Sequence, residues 1–270
     1  MIASLQLDCP REEARIVTFI RERLDEAGFT RLVLGMSGGI DSALVGALAA
    51  RAIGPKNVHA VIMPYRTSNP ESAAHARLAS ERFGLPWELC DISAMVDAVV
   101  ATDPSMDQRR QGNVMARCRM VTLFDRAAKL GALVAGTSNR TESLLGYFTI
   151  FGDGACSLKP IAHLYKCQVK ALSGHVGVPD AILRKAPSAD LWQGQTDEGD
   201  LGFTYDEADQ ILYLLTERGL DGNAVVAHGF RPETVAAIQR RMRLSAYKLC
   251  QPPAPLVEGR AHLCTGEYDV

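Results

Sequence analysis

The residues with the most chemical potential in this chain sit close together near its start. Ser37-Gly38-Gly39-Ile40-Asp41-Ser42 follows a short apolar run, Arg31 to Met36, and leads straight into a stretch, Asp41 to Ile53, whose small and apolar residues have helical spacing. Paired glycines let a backbone turn tightly and aim successive amides at one point. The free amides and dipole of a following helix add positive potential there. Ser37 and Ser42 supply hydroxyls. Such a loop suits a phosphate group. It lacks the lysine of a Walker A loop and the glycine spacing of a dinucleotide fold. Asp41 would repel a bare polyphosphate, but it fits a Mg²⁺ ion bridging phosphate oxygens. Read without chemistry, the same string is a tight turn with Asp41 as a helix cap.

Further candidates follow at intervals. Gly112 to Met120 places Arg117 and Arg119 among apolar residues, where a guanidinium needs a carboxylate or phosphate partner unless it lies on an exposed helix face. Gly136-Thr137-Ser138-Asn139-Arg140-Thr141-Glu142 leaves the end of an apolar strand. That edge is where open α/β sheets bind ligands. Thr137 can reach a nucleotide there, and Glu142 can be a second Mg²⁺ ligand. Asp153 between Gly152 and Gly154 reads either as a plain turn or as an acid presented to substrate. Lys166 opens a helix, where a cation opposes the dipole, and a phosphate partner would explain it. Pro187 to Glu198 is polar and glycine-containing, suited to closing over a site.

The string S-G-G-x-D-S after a strand resembles the ATP pyrophosphatases, which cleave ATP to AMP and pyrophosphate. Within them the chain resembles the ammonia-dependent NAD⁺ synthetases. Their pattern of G-N-x-x-A-R-x-R-M, G-T-x-N-x-x-E, G-x-x-T-x-x-G-D-G, L-x-K and P-[ST]-A-D-L with T-D-E occurs here in order, from Gly35 to Leu201. GMP synthetase, asparagine synthetase and the tRNA-modifying relatives share only the first loop.

The resemblance implies ATP binding by Gly35, Met36, Ser37, Gly38, Gly39, Ile40, Asp41 and Ser42, with Thr137, Lys166 and Ser188. It implies Mg²⁺ on Asp41 and Glu142, and Asp153 and Lys166 as catalytic groups. It further implies contacts to deamido-NAD by Arg117, Ile150, Ser157, Tyr247 and Lys248. Three of these positions depart from the family: Ile150 stands where lysine is common, and Ser157 where an acid is common. Tyr247 replaces a histidine. The implied reaction amidates deamido-NAD with ATP and ammonia, and the implied assembly is a homodimer. An ammonia-supplying amidase would be a separate protein.

Elements that could position these groups alternate along the chain. Helical spacing runs from Arg11 to Ala27, then come the strand before the loop and the helix after it. A strand is predicted at 59–63, a helix at 69–83, a strand at 87–90, a long helix at 106–130 broken near Gly112, and a strand at 132–135. Helices follow at 164–176, 205–217 and 232–244. This order predicts an α/β fold, a parallel sheet flanked by helices on both faces. By resemblance it is the Rossmann-like, adenine nucleotide alpha hydrolase-like version. One domain over 1–270 is expected, without a glutaminase unit and with an extended or mobile tail from Pro252.

Composition narrows the function classes. The 270 residues are 47% hydrophobic and 22% charged, with net charge −2, so no overall field draws nucleic acid or anionic lipid. No apolar run is long enough for a membrane span, and no signal segment is evident. Seven scattered cysteines without a C-x-x-C pair indicate ordinary thiols in a reducing cytoplasm. Two rival readings remain: a tRNA-modifying or other amidating enzyme of the same superfamily, which would want a basic patch, and a nucleotide-binding protein without turnover.

Overall fold

The computed structural model describes residues 5–192, 194–250 and 252. The expected tail lies outside the described residues except for Pro252. Helix α1 (Cys9–Ala27) buries Ile16, Ile20 and Leu24, four residues apart on one face. Asp8 accepts the Arg11 N–H at its start, and Gly28 closes it in the left-handed conformation.

Four strands, β1 (Leu32–Gly35), β2 (Val58–Ile62), β3 (Trp87–Leu89) and β4 (Leu133–Val134), form a parallel sheet in the order β3-β2-β1-β4. Leu32 of β1 pairs with Val58 on one side and Leu133 on the other. The crossovers are α2 (Ile40–Ile53) from β1 to β2, and α3 (Pro70–Arg82) from β2 to β3. Helices α4 (Ser93–Val100) and α5 (Gln108–Leu130) then carry the chain to β4, on the far side of β1. The topology therefore switches at β1, and the crevice beyond the carboxyl ends of β1 and β4 is the natural ligand site.

After β4 the chain is helical: α6 (Arg140–Leu145), α7 (Lys166–Val176), α8 (Asp180–Leu183), α9 (Asp197–Leu201), α10 (Tyr205–Thr216), α11 (Gly222–Ala227) and α12 (Pro232–Ser245). Strand side chains alternate between faces. Leu32 and Leu34 join a core with α1, α2 and α7, while Val33 joins Val61, Val134 and residues of α4 and α5 on the other face. This is the predicted sheet with helices on both faces. A third core links α6 and the buried Tyr165 to α10, α11 and α12.

Two local expectations change. Helix α5 runs through Gly112 without a break. The glycine is there for close approach, because a Cβ would lie 2.9 Å from the Leu191 side chain. The residues between Cys90 and Met106, where no element was predicted, hold α4, whose Val96 is buried against the sheet.

Candidate active site

The glycine loop leaves the end of β1 and enters α2. Gly38 has φ 79°, and a Cβ there would sit 2.1 Å from the Ser72 carbonyl oxygen of α3. Only glycine allows that turn beside that helix. The serines organise the loop internally. Ser42 Oγ donates to the Gly39 carbonyl at 3.0 Å and accepts the Ser37 amide at 3.2 Å, while Ser37 Oγ accepts the Gly39 amide at 3.2 Å. The first amides of α2 have no intrahelical acceptor, and Ile40, Asp41 and Ser42, which carry them, line the cavity described below.

Asp41 sits in the first turn of α2, where its side chain meets two residues distant in sequence. Asn139 Nδ2 donates to Asp41 Oδ1 at 2.9 Å, and Lys166 Nζ donates to Asp41 Oδ2 at 2.6 Å. The same ammonium reaches Glu142 Oε1 at 3.2 Å. Asn139 caps α6 and forms a reciprocal capping box with Glu142, which fixes that carboxylate relative to the helix end. Lys166 is only 8% exposed, and the Tyr205 ring covers its ammonium at 5.1 Å. Burial works to lower the Lys166 pKa, but Asp41 and Glu142 outweigh it and hold the value above the ordinary one. Glu142 moves the other way: loss of water pushes it up to about 8, with Lys166 opposing and Asp41 reinforcing the shift. The cationic charge at this helix start is thus matched by carboxylates, where sequence reasoning invoked phosphate.

The cluster is rich in carboxyl groups. Asp197, in the same neighbourhood, is 5% exposed. Its Oδ2 accepts Tyr205 Oη–H at 3.0 Å, and its Oδ1 has no hydrogen-bond partner. Its carboxyl is raised, chiefly by burial and against the pull of Lys166. Three carboxylates around one buried ammonium, with an orphaned oxygen, fit an additional cation. Among the described residues no three His, Cys, Asp or Glu side chains form a preassembled metal cage. That donor set suits Mg²⁺, which takes one or two carboxylates and completes its shell with phosphate oxygens and water.

A cavity of about 810 Å³ extends from this cluster across the crevice. Gly35 to Ser42 (Gly38 excepted), Thr137, Glu142 and Lys166 line one end. Arg117, Ile150, Asp153, Ser188, Tyr247 and Lys248 line other parts of the same cavity. Arg117 is exposed and donates to the Ile150 carbonyl at 3.3 Å. Lys248 Nζ donates to the carbonyls of Gly146 and Phe148, each at 2.8 Å, and lies over the Phe148 ring. Ser188 Oγ donates to the Gln195 carbonyl at 2.8 Å, bracing the Pro187–Glu198 loop. Asp153 Oδ1 accepts the Thr149 amide at 2.9 Å, and desolvation raises its carboxyl against that hydrogen bond. Ser157 is placed elsewhere: it is exposed, its Oγ accepts the Val134 amide at 3.2 Å, and it does not line the cavity.

Several site residues escaped sequence reasoning. Asn139 was legible in principle, since asparagine three residues before glutamate signals a capping box. Its bond to Asp41 spans 98 positions and carries no local signal. Arg119 is not a surface arginine. It lines the cavity and donates to the Met63 carbonyl at 3.1 Å; burial lowers its pKa, opposed by Asp190 and Asp153. Arg109 and Arg241 also line the cavity, near Lys248.

The NAD synthase family model matches residues 12–252. An NH(3)-dependent NAD(+) synthetase from Trichlorobacter lovleyi is 51% identical over 245 residues, covering 91% of this chain and 90% of the relative. Among solved structures, NMN synthetase from Francisella tularensis superposes with TM-score 0.83 at 31% identity, covering 93% of this chain and 99% of that one. NH3-dependent NAD synthetase from Campylobacter jejuni superposes with TM-score 0.80 at 31% identity, covering 93% and 100%. A family model that spans nearly the whole chain and a relative sharing half its residues over nine-tenths of both lengths place the chain in the NAD synthase family.

Proposed function

We propose that the crevice adenylates the nicotinate carboxylate of deamido-NAD and then amidates it, making this chain an ammonia-dependent NAD⁺ synthetase that forms a C–N bond. A carboxylate cannot expel hydroxide at neutral pH, so a better leaving group must be installed. The carboxylate oxygen attacks the α-phosphorus of ATP and pyrophosphate departs. Ammonia then attacks the acyl carbon, loses a proton and expels AMP. The observation that carries this reading is Lys166 Nζ bridging Asp41 and Glu142 at the mouth of the glycine loop. A buried cation there, beside the free amides of α2, stabilises charge gathering on departing pyrophosphate.

In this reading Gly35 to Ser42, Thr137, Lys166 and Ser188 hold ATP, and Arg117, Ile150, Tyr247 and Lys248 hold deamido-NAD. Asp153 accepts the proton from the attacking nitrogen. Asp41 and Glu142 are the protein ligands of Mg²⁺, which when bound neutralises phosphate charge. Ser157, which lies outside the cavity lining, is left out of this set. We further propose one catalytic domain and a reducing, cytoplasmic setting, supported by six unpaired cysteines among the described residues. No helix among the described residues is long and apolar enough to cross a membrane. Leu89 on β3, Val99 on α4, and Val121 and Phe124 on α5 are exposed apolar residues that a second copy would cover. Sedimentation at micromolar concentration should return a dimer.

The test is an assay with ATP, deamido-NAD and ammonia, with parallel arms containing glutamine and nicotinate mononucleotide. NAD⁺, AMP and pyrophosphate in equal amounts are expected; ADP and phosphate would refute the assignment. Asp41→Ala should remain folded and lose roughly a thousandfold in kcat, the scale of removing charge stabilisation at a reacting centre.

A further inference from the structure

Asp209, on α10, is the most deeply buried carboxylate the reaction itself does not use. It is 1% exposed, and its neighbours Ala208 and Ile211 on α10 belong to the helical third core rather than to the sheet. Its two oxygens face two different helices. Oδ1 accepts the Thr141 hydroxyl proton at 2.5 Å, and Oδ2 accepts the Cys167 amide at 2.7 Å. Thr141 Oγ1, having given its proton to Asp209, accepts the Lys166 amide at 3.0 Å. One carboxylate thereby holds both leading amides of α7, directly or through a hydroxyl, and the first turn of α6.

Those two helix starts carry the reacting charges. Thr141 directly precedes Glu142, and the amides fixed by Asp209 and Thr141 belong to Lys166 and Cys167. At the start of α7 Gln168 Oε1 accepts the Tyr165 amide at 2.9 Å within a local capping box, but the next two amides, of Lys166 and Cys167, are met from outside by Thr141 and Asp209. An ordinary cap would be a local serine or asparagine. A buried carboxylate with no cationic partner among the described ion pairs costs far more. Its burial and these hydrogen bonds oppose each other, and burial prevails in raising its pKa. The two-pronged geometry calls for a carboxylate, which accepts on both oxygens at once, whereas an amide can accept on only one.

We propose that Asp209 is a positioning residue that locks Glu142 and Lys166 into register across the Asp41 carboxylate. It touches neither substrate nor metal. It acts through Thr141 and through the amides that open α7. The proposal rests on the reading above, in which Lys166 and Glu142 work on ATP.

Removing such an outer partner should cost about 10- to 100-fold. Asp209→Asn and Thr141→Val are each expected to lower kcat by that factor while the KM for deamido-NAD stays within about threefold. Thr141→Ser keeps the bridging hydroxyl and should restore kcat to within about threefold of the parent. Because Asp209 acts in part through Lys166, adding Asp209→Asn to Lys166→Met should lower kcat by a smaller factor than Asp209→Asn does in the parent. A folded Asp209→Asn protein with parental kcat overturns the proposal, as does full multiplication of the two losses in the double variant. So does an equal failure of Thr141→Ser and Thr141→Val. If Asp209→Asn does not fold, the two Thr141 variants decide by the same criteria. Lys166→Met at parental activity removes the underlying reading of the site along with the proposal. Lys166→Met inactive beside an unimpaired Asp209→Asn removes the proposal alone.

Discussion

The two ends of the cavity are built differently. At the loop end, Asp41, Glu142 and Lys166 come from three helix starts, are largely buried, and are tied to one another and to Asn139 by direct hydrogen bonds. At the other end, Arg117 and Tyr247 are exposed, and the contacts of Arg117 and Lys248 run mainly to backbone carbonyls. The loop end is preorganised, with its electrostatics fixed before substrate arrives. The far end holds long cationic side chains whose partners are still carbonyls, so the substrate must supply much of its order. A charge change should therefore act on turnover at the first end and on substrate affinity at the second.

The contrast breaks most visibly at Lys166. Lys166→Met should reduce kcat by about 10²- to 10³-fold, with a folded protein and little change in the KM for deamido-NAD. A loss confined to KM would mean that the two ends are not functionally separate. Lys166→Arg should not rescue. The site is closed around a compact ammonium with Tyr205 over it, and a planar guanidinium has a different shape.

The second test reads charge rather than turnover. Glu142 sits at about 8 in the folded chain against an ordinary 4.5. Between those values the folded chain keeps a proton the unfolded chain has released. The unfolded state then binds fewer protons, and stability falls as pH rises through that window. Glu142→Gln abolishes this contribution. Urea unfolding of both metal-free proteins from pH 5 to 8 should show the parent losing, relative to Glu142→Gln, on the order of a few kcal/mol. Equal slopes would show that Glu142 is ionised throughout and that the cluster is less strained than its burial implies.

Arg117 is the matching test for the open end. Arg117→Ala should raise the KM for deamido-NAD about tenfold and leave kcat within about twofold, the pattern of lost binding that is uniform along the reaction. Steady-state kinetics with deamido-NAD varied at saturating ATP and ammonia checks this. An equal drop in kcat would make the open end as preorganised as the closed one.

How much of this was legible before folding follows the same divide. The loop, its strand and its helix are contiguous, so Gly38 and Asp41 declare their roles in one short string. The sheet also reads easily, because Leu32, Val33 and Leu34 alternate between two cores. What stays hidden is what folding brings together. Asn139 reaches Asp41 from 98 positions away, and Asp209 reaches Thr141 from 68. Lys166 was legible only in part: its place at a helix start signals a need for negative charge, but its partners Asp41 and Glu142 lie 125 and 24 positions away. Gly112 misled because a helix glycine can serve packing against a remote loop as well as mark a break.

Ser157 sets the smallest effect and the sharpest limit on arguing from family position. The family places an acid there, yet here the hydroxyl accepts the Val134 amide at the end of β4 and the side chain stays outside the cavity. Val134 is buried, so removing the hydroxyl that satisfies its amide leaves an unpaired donor at a cost of roughly 1–3 kcal/mol. Ser157→Ala should therefore lower stability by about that amount, while the KM for deamido-NAD should stay within about twofold. Ser157→Asp restores the family's acid at the same place. If the cavity wall is as placed, this change too should leave the KM within about threefold, because a screened charge outside the cavity acts weakly on a ligand within it. A tenfold response to Ser157→Asp alone would mean that bound substrate extends past the cavity to this strand end, so that the open end reaches further than its lining residues indicate.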